Sequence, residues 1–206
     1  MKNNFDTVGA YFCIASIAIG FSSIGIAIYL APHFSWTKNA LSDLGVMGGH
    51  IAVIFNVGLM ISGLLLLGFA ISKFVSIRTI ERYIYIVASA AGIALFFIGL
   101  FPENLGELHM FPSIAFFMLM GIFMLLIGLY RLVTSKELFA IVATLAFIAD
   151  VVIWSIPWKN LGVTGAAIPE VYVVLMPEEV WVQNYVGTKI TRGEIEDLPD
   201  YIKSAN

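Results

Sequence analysis

Charge is scarce in this chain. Only 12% of its 206 residues are Asp, Glu, Lys or Arg, about half the share of roughly 25% found in an ordinary globular domain. So few charges cannot cover a water-soluble fold of this size. Nor is there a basic surplus: 11 Lys and Arg against 14 Asp and Glu leave a net charge of −3, which excludes the cationic surface that nucleic acid requires. The single cysteine excludes a disulfide framework and a multi-cysteine metal site. No fixed-period repeat, low-complexity tract or nucleophile-elbow pattern is present, and no residue pattern names a cofactor.

What fills the chain is apolar. Hydrophobic residues make up 60% of it, and they gather in long runs. A helix that crosses a bilayer takes about 20 mostly apolar residues, because the hydrocarbon is about 30 Å thick and each residue rises about 1.5 Å. Five stretches qualify, at 8–30, 46–71, 83–101, 110–130 and 138–158. The first is too long for the apolar core of a secretion signal and lacks a small-residue cleavage site, so it reads as a retained helix. A sixth stretch, 166–188, contains Glu170, Pro177, Glu178 and Glu179. Its Val, Tyr and Trp residues would also suit two short strands about a turn.

Charge asymmetry favours the sixth span, since Lys and Arg collect on the cytoplasmic side of a membrane. With six helices and a cytoplasmic N-terminus, only Lys38 and Lys159 of the 11 bases lie outside; with five, Lys189, Arg192 and Lys203 join them. The expected fold is therefore all-α: a compact polytopic bundle of six transmembrane helices over residues 1–188, followed by a short polar cytoplasmic tail at 189–206. Both termini are expected in the cytoplasm, and the surroundings are the lipid bilayer of the cell membrane. Short connections make neighbouring helices antiparallel. Gly92 and Gly99, like Gly121 and Gly128, are seven apart and fall on one helical face. They are expected to form seams where backbones approach closely.

In this topology the unusual polar residues face outward. The first external loop carries Ser42 and Asp43, the second Glu103 and His109, and the third Lys159; His33 and His50 fall on the same side. Asp150 lies within the fifth helix, where an aspartate near the centre costs about 2.5–3.5 kcal/mol on insertion scales and should face the bundle with a partner. Glu170 sits at the outer start of the sixth. Asp150 and Glu170 are thus expected to meet in an outer-half cavity, with Asp43, Glu103, His109 and Lys159 at its mouth. Plainer roles stand beside these: a buried hydrogen-bond tie for Asp150, a helix cap for Ser42–Asp43, and an interhelical tie for Asn56.

Several of these segments together resemble a known family. Leu41-Ser42-Asp43-Leu44-Gly45, the Phe55-Asn56-x-Gly58-Leu59 core of the second helix, Gly63, and the stretch from Gly99-Leu100-Phe101-Pro102-Glu103 to His109 are similar to the prokaryotic membrane-protein family known as domain of unknown function 998. Ala167-Ile168-Pro169-Glu170 resembles the entry to that family's sixth span. The likeness runs to about residue 188. It implies six spans with polar outer loops and carries no catalytic role. The acidic Met176-Pro177-Glu178-Glu179 departs from it.

Three functions compete. The first in rank is a non-enzymatic membrane protein whose outer polar cluster binds a ligand or docks a membrane-protein partner. The second is a small proton- or cation-coupled transporter built on Asp150 and Glu170, with Glu103 and Lys159 close by. The third is a membrane hydrolase with Ser42 as nucleophile and His109 as base, oriented by Asp43 or Glu103; its metal variant would use His50, His109 and an acid as ligands, with an open position for water.

Overall fold

The computed structural model describes residues 2–134 and 138–171. Among the described residues every regular element is helical and there is no strand. Five long helices follow one another: α1 (Lys2–Leu30), α2 (Gly49–Ser76), α3 (Ile84–Leu100), α4 (Glu107–Thr134) and α5 (Leu138–Ser155). Each packs on its neighbour in the chain, α1 on α2 through to α4 on α5. The polypeptide thus runs up and down, as short connections require.

Among the described residues four segments are long and apolar enough to cross a membrane: Thr7–Leu30, Gly49–Ser76, Ile80–Leu100 and Glu107–Thr134. The fifth helix is apolar but shorter, at 18 residues. Most of the expected sixth span, with Glu178, Glu179 and the tail at 189–206, lies outside the described residues; within them a helix begins at residue 167 and continues to 171.

Helix ends differ from the apolar runs for local reasons. The second run was expected from residue 46, yet α2 starts at Gly49. Residues Leu41–Val46 instead form a 3₁₀ turn, and Gly48 and Gly49 follow with φ of +82° and +56°, a left-handed region that side chains other than glycine avoid. The fifth helix ends at Ser155, short of residue 158, because Pro157 disfavours helical geometry in the residue before it. Pro112 lies inside α4, five residues from its start, and removes the one N–H that would bond the carbonyl of Leu108.

The glycine seams are present. A Cβ on Gly92 would meet the backbone of Gly63 and Leu67 on α2, and one on Gly99 would meet Asn56 and Met60 of the same helix. Gly121 and Gly128 face Asp150, Phe147 and Thr144 on α5. Small residues therefore let α2–α3 and α4–α5 close to backbone contact, which supplies the dispersion that lipid does not. The core between them is aliphatic and aromatic, with Tyr85, Phe123 and Ile127 fully buried.

One end of the bundle carries the connections at residues 31–48, 101–106 and 156–166; it is called the outer end here, after the charge asymmetry. At the opposite end the Arg131 guanidinium donates to Glu81 Oε1 at 2.7 Å, tying the tip of α4 to the turn before α3. Arg82 lies 4.3 Å above the Phe74 ring.

Candidate functional site at the outer end

The outer connections are sewn together by backbone hydrogen bonds. The N–H groups of Thr164 and Gly165 donate to Thr37 O at 2.7 and 3.1 Å, and Ala167 N donates to Asn39 O at 3.0 Å. Gly165 is obligatory there, since a Cβ would run into the Asn39 backbone. The segment after α5 is thereby laid across the first loop, and its Glu170 side chain reaches Leu41, whose N–H donates to Oε2 at 2.6 Å.

The first loop is shaped by its own polar residues. Asn39 Oδ1 accepts from Ser35 N at 2.9 Å, and Asn39 Nδ2 donates to Asp43 Oδ2 at 2.6 Å. The same Asp43 oxygen accepts from Ala40 N at 3.1 Å. The capping role read for Ser42–Asp43 therefore belongs to Asp43, and it caps the 3₁₀ turn instead of α2. Asn56 Nδ2 donates to Gly45 O at 2.9 Å, so this residue ties α2 back to that turn and not to another helix.

Beneath the loops is a cavity of about 630 Å³, within the range of about 300–1,000 Å³ usual for small-molecule sites. Its body is apolar, formed by Ile24 of α1, Phe55 and Leu59 of α2, Leu95 and Ile98 of α3, and Phe116 and Phe117 of α4. Ser42, Glu103, Glu107, His109, Ser113 and Glu170 supply its polar lining. Asp43 stands beside Glu103 and acts on it electrostatically.

His109 is almost fully buried. Its Nδ1 lies 2.6 Å from Phe101 O; a carbonyl only accepts, so Nδ1 carries the hydrogen, and in the neutral ring Nε2 is left as an acceptor. Ser113 is engaged with its own helix, donating to His109 O at 2.8 Å. Glu103 lies in the connection between α3 and α4. Burial holds its carboxyl above the usual carboxylate range; hydrogen bonding from Ser42 opposes this, the Asp43 carboxyl pushes it further up, and nearby His109 draws it down. Its Oε2 atom is buried without a hydrogen-bond partner among the described residues.

Five of the residues singled out in the sequence thus come together: Ser42, Asp43, Glu103, His109 and Glu170. Asp150 does not join them. It lines a second cavity of about 480 Å³ between α4 and α5, with Gly121, Phe147 and Trp154. The two cavities share only Ile114 and Phe117 of their linings, so the expected meeting of Asp150 with Glu170 is not found. Asp150 Oδ1 is buried and unpartnered among the described residues. Lys159 is exposed on the turn Trp158–Leu161, and His50 is exposed in the first turn of α2. Neither lines a described cavity. Among the described residues no group of three or more His, Cys, Asp or Glu side chains is placed to hold a metal.

Sequence reasoning missed Asn39, Glu107, Ser113 and the Leu41 N–H. The spacing of Asn39 and Asp43, four apart in a loop ahead of a glycine pair, was the available signal for the first. A backbone donor such as Leu41 leaves none.

Apolar helices of membrane-crossing length, joined at one end by a loop cluster that encloses carboxyl groups, define a helical membrane protein. The chain belongs to the DUF998 family, described as protein of unknown function, which matches residues 14–182. No curated protein and no solved structure matches it.

Proposed function

We propose that this chain is a six-span protein of the cell membrane, with both termini cytoplasmic, whose outer cavity binds a ligand without transforming it. One observation carries the reading: polar groups from three separate segments (Ser42, Glu103 with His109, and Glu170) line one chamber whose body is apolar. Such convergence of a few polar groups on a largely apolar hollow is the general form of a small-molecule site. Asp150, in its own cavity, is a packing residue of α4–α5 in this reading. The transporter alternative needed it beside Glu170.

The hydrolase alternative draws less support. Asp43 is occupied in capping its turn, and His109 Nδ1 is held by a carbonyl where a triad would need a carboxylate. The test is photolabelling of the purified protein with a diazirine-bearing alkyl probe, followed by peptide mapping. Saturable labelling of Ile98, Phe116 or Phe117 is expected. Labelling spread without saturation over the lipid-facing helix surfaces would overturn the binding reading. Loss of labelling by an activity-based serine probe on Ser42→Ala would restore the hydrolase.

A further inference from the structure

The polar lining of the outer cavity is one-sided in its chemistry, and that asymmetry specifies a ligand. Among the described residues its ionisable side chains are Glu103, Glu107, Glu170 and His109, and no Lys or Arg lines it. Acceptors therefore outnumber donors. Carboxylates only accept, His109 Nε2 accepts in the neutral ring, the Ser42 hydroxyl is engaged with Glu103, and Ser113 has already given its hydrogen to His109 O. The Leu41 N–H satisfies one oxygen of Glu170. Glu103 Oε2 is buried against this lining with no donor among the described residues. A buried acceptor in that state lacks a partner that folding ordinarily provides.

Below the carboxyl groups the walls are hydrocarbon: Ile24, Leu59, Leu95, Ile98 and Phe116. Met110 and Ile114 of α4 line the same cavity and are also about half exposed, at 47% and 50%. The cavity wall is thus continuous with an exposed apolar flank of α4.

From this we infer that the outer cavity receives a single-chain amphiphile with a protonated amine, its ammonium donating to Glu103 Oε2 and its chain lying along α3 and α4. The inference rests on the binding function proposed above and names the ligand's chemical class. An ammonium supplies up to three donors, and charge-assisted hydrogen bonds to a carboxylate are the stronger kind. An anionic head would meet carboxyl groups with no cation among the described lining residues. A bare metal ion would find no donor set among the described residues and would have no use for the apolar body.

Tritiated dodecylammonium binding to the full chain in dodecyl maltoside micelles tests this, with protein-free micelles as blank and unlabelled competitors. Saturable binding of one molecule per chain is expected. Dodecanol and dodecanoate should compete at least tenfold more weakly than dodecylammonium, and ethylammonium weaker still. Glu103→Gln should remove most of the preference for the amine over the alcohol, and Glu170→Gln should reduce it if the first variant fails to fold. Equal competition by dodecanol or dodecanoate would overturn the amine assignment while leaving a binding cavity in place. Equal competition by ethylammonium would overturn the role of the chain. Saturable binding of none of the twelve-carbon compounds would overturn both this inference and the proposed binding function.

Discussion

The α2–α3 seam offers the sharpest quantitative test of the fold. A methyl group on Gly63 would lie 2.5 Å from Phe96 N and 2.7 Å from Gly92 O. Both are backbone atoms, so no side chain can swing aside to admit it. Ordinary non-bonded separation is about 3.5 Å, so Gly63→Ala must force the helices apart by about 1 Å. A gap of that size forfeits a quarter to a half of the dispersion energy along the opened contact, and overpacking of this kind costs about 1–3 kcal/mol. Alanine recovers roughly 0.5–1 kcal/mol of helix preference, which leaves a net loss of up to about 2.5 kcal/mol. Gly25 of α1 is the control, since no described atom lies within 4 Å of the Cβ it would gain. Gly25→Ala should be neutral or stabilising by up to about 1 kcal/mol. Reversible unfolding in mixed micelles, titrated with sodium dodecyl sulfate, reads both. If Gly63→Ala proves as stable as Gly25→Ala, the close approach of α2 and α3 is wrong.

Other outcomes follow from the polar contacts. Gly165→Ala should separate the post-α5 segment from the first loop, seen as faster amide exchange at Thr164, Gly165 and Ala167 with exchange in α2 and α3 unchanged. Glu81→Ala removes the 2.7 Å pair with Arg131 and should cost about 1–3 kcal/mol in the same unfolding assay. Because burial raises the Glu103 carboxyl, the folded chain holds that proton more readily than the unfolded chain. Its contribution to stability is therefore lost as pH rises from the ordinary carboxyl range through the raised value. Glu103→Gln should flatten that slope and melt higher than wild type near pH 7; an unchanged melting profile between about pH 4 and about pH 8 would refute it. For the six-span topology, cysteines at Asn160 and Asn206 in a Cys13→Ala background should react with an impermeant maleimide from opposite sides of the membrane.

Membrane character and helix sequence were legible because they depend on totals. Sixty per cent hydrophobic residues in long runs leave few alternatives. The glycine seams were legible because a seven-residue spacing survives in any helix pair, whichever partner lies opposite. Convergence of Ser42, Asp43, Glu103, His109 and Glu170 could be anticipated only as membership of one membrane side. Their contact depends on how the loops fold over. Asp150 was misplaced for a related reason. Its depth in α5 follows from counting, whereas its azimuth follows from packing, which turns it toward Gly121 on α4. The start of α2 was missed because Val46 extends the apolar run while Gly48 and Gly49 break the helix.

The bond from Leu41 to Glu170 spans 129 residues of chain. Synthesis proceeds at about 5–20 residues per second, so the ribosome reaches that carboxylate roughly 6–26 s after the amide it will accept from. Throughout that interval the first loop has no roof, and the hollow under it stays open to whatever the insertion machinery and the surrounding lipid present. The chamber is therefore a late product of biogenesis, formed only after the segment that carries Glu170 has been made and laid across the first loop.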